Sequence, residues 1–212
     1  MMTMTRLLLV RHGETEWNSD VIYRGRAEVA LSAAGRRQAE AVGARLAQEH
    51  VTEIYSSPLV RARETAEAIG RHTGCTVQVL QDLTDLDCGE WQGLSDSEVK
   101  AKYPEERRLW LSAPHLVTLP EGESLTDVSA RVKRVLDLAL RQDGVVVLVS
   151  HRVVHKVAIC SLLGLDNSHF WDIRLDLAGV TEFECTARRR VLVRHNETSH
   201  LAVKEAPLPI DF

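Results

Sequence analysis

The sequence predicts an α/β fold, a three-layer α/β/α sandwich with a mostly parallel central sheet. Two observations carry this prediction. Short apolar runs of strand length alternate along the chain with longer segments in which apolar residues recur at helical spacing. Residues 7–10 and 145–149 are also continuously apolar, which is typical of strands that helices cover on both faces.

In the first half of the chain, strands and helices alternate in two units. The predicted strands of this half are residues 7–10, 51–55 and 77–80. A helix is predicted from Ser32 through residues 36–49, where Ala and Val recur between charged residues. Pro58 suits the first turn of the next helix, because its missing N–H costs little there.

The second half begins with an irregular region, residues 88–122, which contains several glycines and prolines. It predicts a lid or insertion over a site, with short helices near Glu98 and Leu109. Ser124 is a suitable N-cap for a long amphipathic helix. The remaining predicted elements are a strand at 145–149, a helix at 153–163 and a final strand pair at 180–185 and 190–193.

Composition places the chain among ordinary globular proteins. Its 212 residues, 44% hydrophobic and 26% charged, suit a single domain over residues 1–212. A net charge of -4 gives no general attraction to nucleic acid or to a membrane surface, so we expect neither partner. The four cysteines form no Cys-x-x-Cys pair and predict reduced thiols in a cytoplasmic protein. Whether the chain forms a homodimer stays open.

Two histidines follow the two best strands, and two arginines accompany them. His12 follows residues 7–10, His151 follows 145–149, Arg11 precedes His12, and Arg61 lies early in a helix. Carboxyl ends of parallel strands form the ligand crevice of such folds. Guanidinium groups suit phosphate oxygens and also keep a nearby histidine neutral, hence nucleophilic. The group therefore predicts phosphoryl transfer through His12, with backbone N–H groups from Gly13 onward adding donors.

The segment Arg11-His12-Gly13-Glu14-Thr15-Glu16-Trp17-Asn18 closely resembles the signature of the histidine phosphatase superfamily, phosphoglycerate-mutase-like branch. Further blocks follow in the family's order: Arg24-Gly25, Ser56 to Ala66, Leu83 to Gly93, Gly122-Glu123-Ser124 and Ser150-His151. The resemblance covers roughly residues 6 to 165 and implies the phosphoglycerate-mutase-like fold.

Site roles follow from the resemblance, residue by residue. His12 is similar to the phosphorylated nucleophile, and Asp85 occupies the position of the general acid. Arg11, Arg61 and His151 resemble the phosphate-binding ring. The residues expected to contact phosphate or substrate are Gly13, Thr15, Asn18, Arg24, Gly25 and Arg152. No cofactor and no metal are implied; His151 and His155 share a helical spacing, but no motif supplies further zinc ligands.

Two positions depart from the family pattern. Asp85 stands where Glu is usual, so its carboxyl reaches about 1.5 Å less far; it can serve if the backbone approaches more closely or a water intervenes. Asp87 and Glu90 are the weaker alternatives for the acid. Arg152 stands where a small residue is usual, and it either adds positive charge that favours a more anionic substrate or is a solvated side chain.

Three functions stay open at this level. A phosphatase gives the phosphate to water, whereas a mutase returns it to the substrate. The short stretch between Gly93 and Gly122, with Arg152-Val153 in place of the Gly-Asn typical of mutases, favours a phosphatase for a small phosphorylated metabolite. The third alternative is a catalytically weak module that binds a phospho-ligand or a protein, suggested by the departures at Asp85 and Arg152.

Overall fold

A six-stranded sheet organises the part of the chain that the computed structural model describes, residues 4–18 and 22–201. The strands are Thr5–Arg11 (β1), Val51–Ser56 (β2), Val77–Val79 (β3), Gly144–Ser150 (β4), Val180–Cys185 (β5) and Arg190–Glu197 (β6). Their order in the sheet is β3-β2-β4-β1-β5-β6. The first four strands are mutually parallel, and β5 and β6 add an antiparallel edge. The predicted fold class is confirmed.

Six α-helices accompany the sheet within these residues. They are Ala33–Leu46 (α1), Val60–Thr73 (α2), Asp96–Lys102 (α3), Pro104–Ser112 (α4), Leu125–Ala139 (α5) and Arg152–Leu163 (α6). The short helices predicted near Glu98 and Leu109 are α3 and α4. In the described part, no helix combines the length and apolarity needed to cross a membrane.

Alternation along β1 and β4 separates two hydrophobic layers, because successive side chains of a strand point to opposite faces. Leu7 and Leu9 pack with the α5 and α6 side, whereas Leu8 and Val10 pack with the α1 and α2 side. Both faces of the central strands are therefore covered by helices, which explains why the two apolar runs show no polar alternation.

Several element boundaries differ from the sequence-based expectation; α1, for example, ends at Leu46 and not at residue 49. Pro58 does not lie in the first turn of α2, which begins at Val60 with Leu59 as its N-cap. The Leu59 amide donates to Ser57 Oγ (3.3 Å), so a side-chain turn separates the end of β2 from the helix. At the last strand, β6 continues to Glu197, beyond residue 193.

Candidate active site

The two histidines lie side by side at the ends of adjacent parallel strands. Arg11 is opposite Ser150 in the register of β1 and β4, and the His12 amide donates to the Ser150 carbonyl (3.0 Å). His151 follows Ser150 directly and is the N-cap of α6. The two imidazole ring centroids are consequently 5.3 Å apart, and both side chains are buried.

His12 is held as the neutral tautomer that leaves Nε2 as the lone-pair nitrogen. Its Nδ1 is 2.7 Å from the Gly13 carbonyl oxygen. A carbonyl oxygen only accepts hydrogen bonds, so Nδ1 carries the hydrogen. Burial, and then the positive charge of Arg61, lower the pKa of His12 well below its usual range. The side chain thus has the charge state that a nucleophile needs.

Gly13 contacts both His12 and Thr65. Its amide donates to Thr65 Oγ1 (3.2 Å), and its expected role as a phosphate donor stays a prediction. A Cβ at Gly13 would come 2.5 Å from the Gly35 carbonyl oxygen, which explains the glycine. Thr15 is buried, and its backbone forms an isolated antiparallel β-bridge with Leu31. The Asn18 side chain lies outside the described residues.

The two arginines that are expected to bind phosphate are anchored by backbone carbonyls. Arg61 is completely buried; its Nη1 donates to the Ala27 carbonyl (2.8 Å) and its Nη2 to the Gly25 carbonyl (2.9 Å). Arg61 Nε has no acceptor among the described residues. Arg11 donates through Nη1 to the Leu175 carbonyl (2.6 Å). These bonds fix the guanidinium planes before any anion binds.

Asp85 joins the same cluster. Its Oδ2 is 3.1 Å from Arg61 Nη2 and 3.5 Å from His151 Nδ1. His151 Nε2 lies 2.8 Å from Ser57 Oγ, so the imidazole is oriented from both sides. Burial, followed by the charge of Arg61, lowers the pKa of His151 well below its usual range.

The two alternative acids bind elsewhere. Asp87 accepts from the Gly89 amide and pairs with Arg26, and Glu90 accepts from the Tyr103 hydroxyl. Of the three candidate carboxylates, only Asp85 contacts the arginine and histidine cluster.

A cavity of about 50 Å³ opens onto His12. Six of the predicted site residues line it: Arg11, His12, Arg24, Gly25, Asp85 and Arg152. Arg61 and His151 are not part of the lining; they contact Asp85 from the buried side. Gly13 and Thr15 are not in the lining either. The cavity therefore brings together six of the predicted residues, whereas these four lie outside its lining.

Arg152 is buried, with 6% of its surface exposed, and it lines the cavity. Its guanidinium carbon lies 5.7 Å from the ring centroid of Trp171. The expectation of a solvated side chain is therefore wrong. No sequence signal marks the remaining lining residues as site residues; they are Tyr23, Leu86, Cys88, Trp110, Leu119 and Val153.

Ser57 and Thr65 are functional supports that sequence reasoning missed. Ser57 orients His151, and Thr65 Oγ1 binds the Gly13 amide. Both lie in the sequence block around Arg61. Their nearness in sequence to this arginine is the signal that could have identified them.

Comparisons with known proteins address the family of the chain. The family model described as histidine phosphatase superfamily (branch 1) matches residues 7–198. Phosphoserine phosphatase 1 of Hydrogenobacter thermophilus is 39% identical over 200 residues, which cover 93% of this chain and 95% of the relative. The solved structure of mycobacterial glucosyl-3-phosphoglycerate phosphatase is 29% identical with a TM-score of 0.84, covering 92% of this chain and 100% of that one. A phosphoserine phosphatase mutant from Entamoeba histolytica, in complex with phosphoserine, is 29% identical with a TM-score of 0.82, covering 93% of this chain and 99% of that one.

Proposed function

Because this chain belongs to the histidine phosphatase superfamily, we propose that it hydrolyses a small phosphomonoester through a phosphohistidine formed on His12. One observation carries the proposal. His12 is a neutral imidazole whose Nδ1 hydrogen is fixed by the Gly13 carbonyl, in a cavity that Arg11 and Asp85 also line. This arrangement directs a nucleophilic nitrogen at an anion held by guanidinium groups.

The reaction proceeds in two steps. First, His12 Nε2 attacks phosphorus in line, the bond to the ester oxygen breaks, and Asp85 gives its proton to the leaving alkoxide. Arg11 binds the equatorial oxygens from the cavity wall, while Arg61 adds positive charge and His151 supports the group from behind Asp85. Second, water attacks the phosphohistidine while Asp85 accepts its proton, which releases inorganic phosphate and restores neutral His12.

The other predicted residues take substrate or supporting roles in this proposal. Arg24, Gly25 and Arg152 line the cavity and contact the organic part of the substrate. Gly13 supports His12, and Thr15 supports the backbone next to it. A phosphate contact from Asn18 stays a prediction.

Phosphoserine is the first substrate to test, since the relative that is 39% identical is named a phosphoserine phosphatase. Phosphoglycerates, sugar phosphates, nucleotides and ribazole phosphate form the rest of the screen. The four cysteines are free thiols, which supports a reducing compartment such as the cytoplasm.

The decisive experiment is rapid quench with a ³²P-labelled phosphomonoester. We expect acid-labile, base-stable label on the wild-type protein within one turnover, located at His12 by peptide mapping, and none on His12→Gln. Released phosphate should equal the substrate consumed; recovery of an isomeric phosphate ester would indicate a mutase instead. Binding of phosphate esters without label and without turnover would overturn the proposal in favour of a binding module.

A further inference from the structure

Arg131, on α5, donates three of its five N–H groups to the segment that carries Asp85 and the other two to Glu123. Only 7% of its surface is exposed. Nη1 donates to the carbonyls of Asp82 and Thr84, and Nη2 donates to the carbonyl of Asp85 (3.1 Å). Nε and Nη2 also donate to the Glu123 carboxylate, at 3.1 and 3.0 Å. A guanidinium has five N–H groups, so each has an acceptor here.

Further bonds also hold this segment, residues 82–87, which we call the acid loop; one of them is from Arg26 Nε to the Asp85 carbonyl (3.4 Å). Ser150 Oγ donates to the Leu83 carbonyl (2.7 Å), directly next to His151. The Asp87 amide donates to Glu123 Oε2 (3.0 Å). Four successive carbonyls, from residue 82 to residue 85, therefore have donors supplied from α5 or the end of β4. Side chains from two other elements therefore fix the backbone of the acid loop.

We propose that Arg131 is a positioning residue for the general acid: it holds the acid-loop backbone at the distance from which the short Asp85 side chain reaches the leaving oxygen. This inference rests on the proposed function, because it presupposes that Asp85 delivers the proton. Proton transfer needs heavy atoms within about 2.6–3.2 Å. Because the Asp side chain is shorter than that of Glu, the backbone of the acid loop must lie closer to the leaving oxygen. Small movements of the loop therefore misplace the carboxylate.

Arg131 acts through Asp85 and not on the substrate, since it is not among the residues lining the cavity. Its charge has a second effect: together with burial and other cations, it lowers the pKa of His151. A lysine at this position keeps the charge but has three donors and no planar fork. Replacing Arg131 by lysine thus separates loop geometry from charge.

The test compares two substrates that differ in leaving group. The aryl ester is p-nitrophenyl phosphate, whose good leaving group needs little protonation by an acid. The alkyl ester is phosphoserine, or the best alkyl ester of the screen, and its poor leaving group depends fully on protonation. The parameter is kcat/KM, which covers steps up to release of the alcohol and omits hydrolysis of the phosphohistidine. The variants are Arg131→Lys, Arg131→Met and Glu123→Gln.

General acid catalysis contributes about 10²–10⁴-fold. We expect Arg131→Lys to lower kcat/KM for the alkyl ester ~10–100-fold and for the aryl ester less than ~3-fold, with Arg131→Met at least as selective. Phosphohistidine should also accumulate in the variants, because Asp85 serves as the base of the second step. Glu123→Gln, which keeps an acceptor oxygen but loses charge, should show the same selectivity more weakly.

Arg134→Met is the matched control. Arg134 lies one turn along the same helix and binds the Asp82 carboxylate at the surface, not the loop carbonyls. It should leave both substrates unchanged. If Arg131→Met does not fold, the lysine and Glu123→Gln variants carry the test, with thermal unfolding measured on each.

Equal losses on both esters, or wild-type selectivity in folded Arg131→Lys, would overturn the positioning role. Failure of the proposed function is recognisable separately, because the wild-type protein would then form no phosphohistidine with either ester.

Discussion

The nucleophile and the acid are held by different means. His12 and His151 directly follow two central parallel strands, whose ladder fixes their backbones before any side chain contributes. Asp85 lies in the acid loop, which has no ladder and is fixed by donors from Arg131 and Ser150. The comparison teaches that the protein places the nucleophile by regular backbone hydrogen bonds and the acid by side-chain bonds.

The two regions also differ in charge. The strand-end histidines are neutral, because burial and neighbouring arginines lower their pKa values. The acid loop instead depends on charge-assisted bonds between guanidinium groups, carbonyls and Glu123. Mutations and acidity should therefore affect the two regions differently.

The largest effect is expected at the nucleophile. His12→Ala removes the attacking nitrogen, and we expect kcat to fall at least ~10⁴-fold with every ester, whatever its leaving group. Steady-state assays with the aryl and alkyl phosphates measure this loss. His169→Ala, at an exposed histidine, is the control. Retention of a tenth of the activity by His12→Ala would exclude His12 as the nucleophile.

At the acid, the effect should depend on the leaving group. Asp85→Asn removes the proton, so kcat/KM should fall ~10²–10³-fold for the alkyl ester and less than ~10-fold for the aryl ester. Asp85→Glu should also slow the alkyl ester, about tenfold, because the loop is fixed for the shorter side chain. A faster Asp85→Glu variant would show that Asp85 does not reach the leaving oxygen optimally.

A smaller effect is expected at the support of His151. Ser57→Ala removes the hydroxyl that orients the imidazole, and a lost buried hydrogen bond of this type corresponds to about tenfold. The reduction should be similar for both esters, since in the proposed function His151 supports phosphate binding and does not protonate the leaving oxygen. Ser56→Ala is the matched control, because its hydroxyl binds the Ser57 carbonyl and not the imidazole. A leaving-group-dependent loss in Ser57→Ala would place His151 with the acid instead.

The mildest effect concerns stability and pH. Burial lowers the pKa of His155 from 6.5 to about 4, while its Nε2 hydrogen binds the Val10 carbonyl. Between these two values the unfolded chain takes up a proton that the folded chain does not. The free energy of unfolding therefore falls as the pH falls between these values, by ~1.4 kcal/mol per pH unit for this group. Above pH 6.5 the full contribution of His155 is present.

Urea unfolding of His155→Gln between pH 6.5 and 4.5 measures this contribution. The Gln side chain can still donate to the Val10 carbonyl. On unfolding, however, the variant should take up about one proton fewer than the wild type, so its stability should depend less steeply on pH. His169→Gln, at the surface, should keep the wild-type slope. An unchanged slope in His155→Gln would contradict a neutral buried His155.

Much of the fold follows from local sequence. The apolar runs of β1 and β4 are recognisable because parallel strands are buried on both faces, and Ser124 caps α5 as its spacing to Asp127 indicates. Ends of elements are less predictable: Pro58 precedes α2 because a Ser57 side-chain turn delays the helix. No local sequence pattern marks Arg131, since the Asp82 carbonyl that accepts from it is 49 residues away.

The sequence by itself determined the alternation of strands and helices along the chain and the choice of His12 as the candidate nucleophile, because apolar runs and the residues that follow them are local features. Only the tertiary structure decided the tautomer of His12, the choice of Asp85 over Asp87 and Glu90, and the burial of Arg152. Each of these depends on which distant backbone and side-chain groups meet, and a linear pattern does not encode those distances.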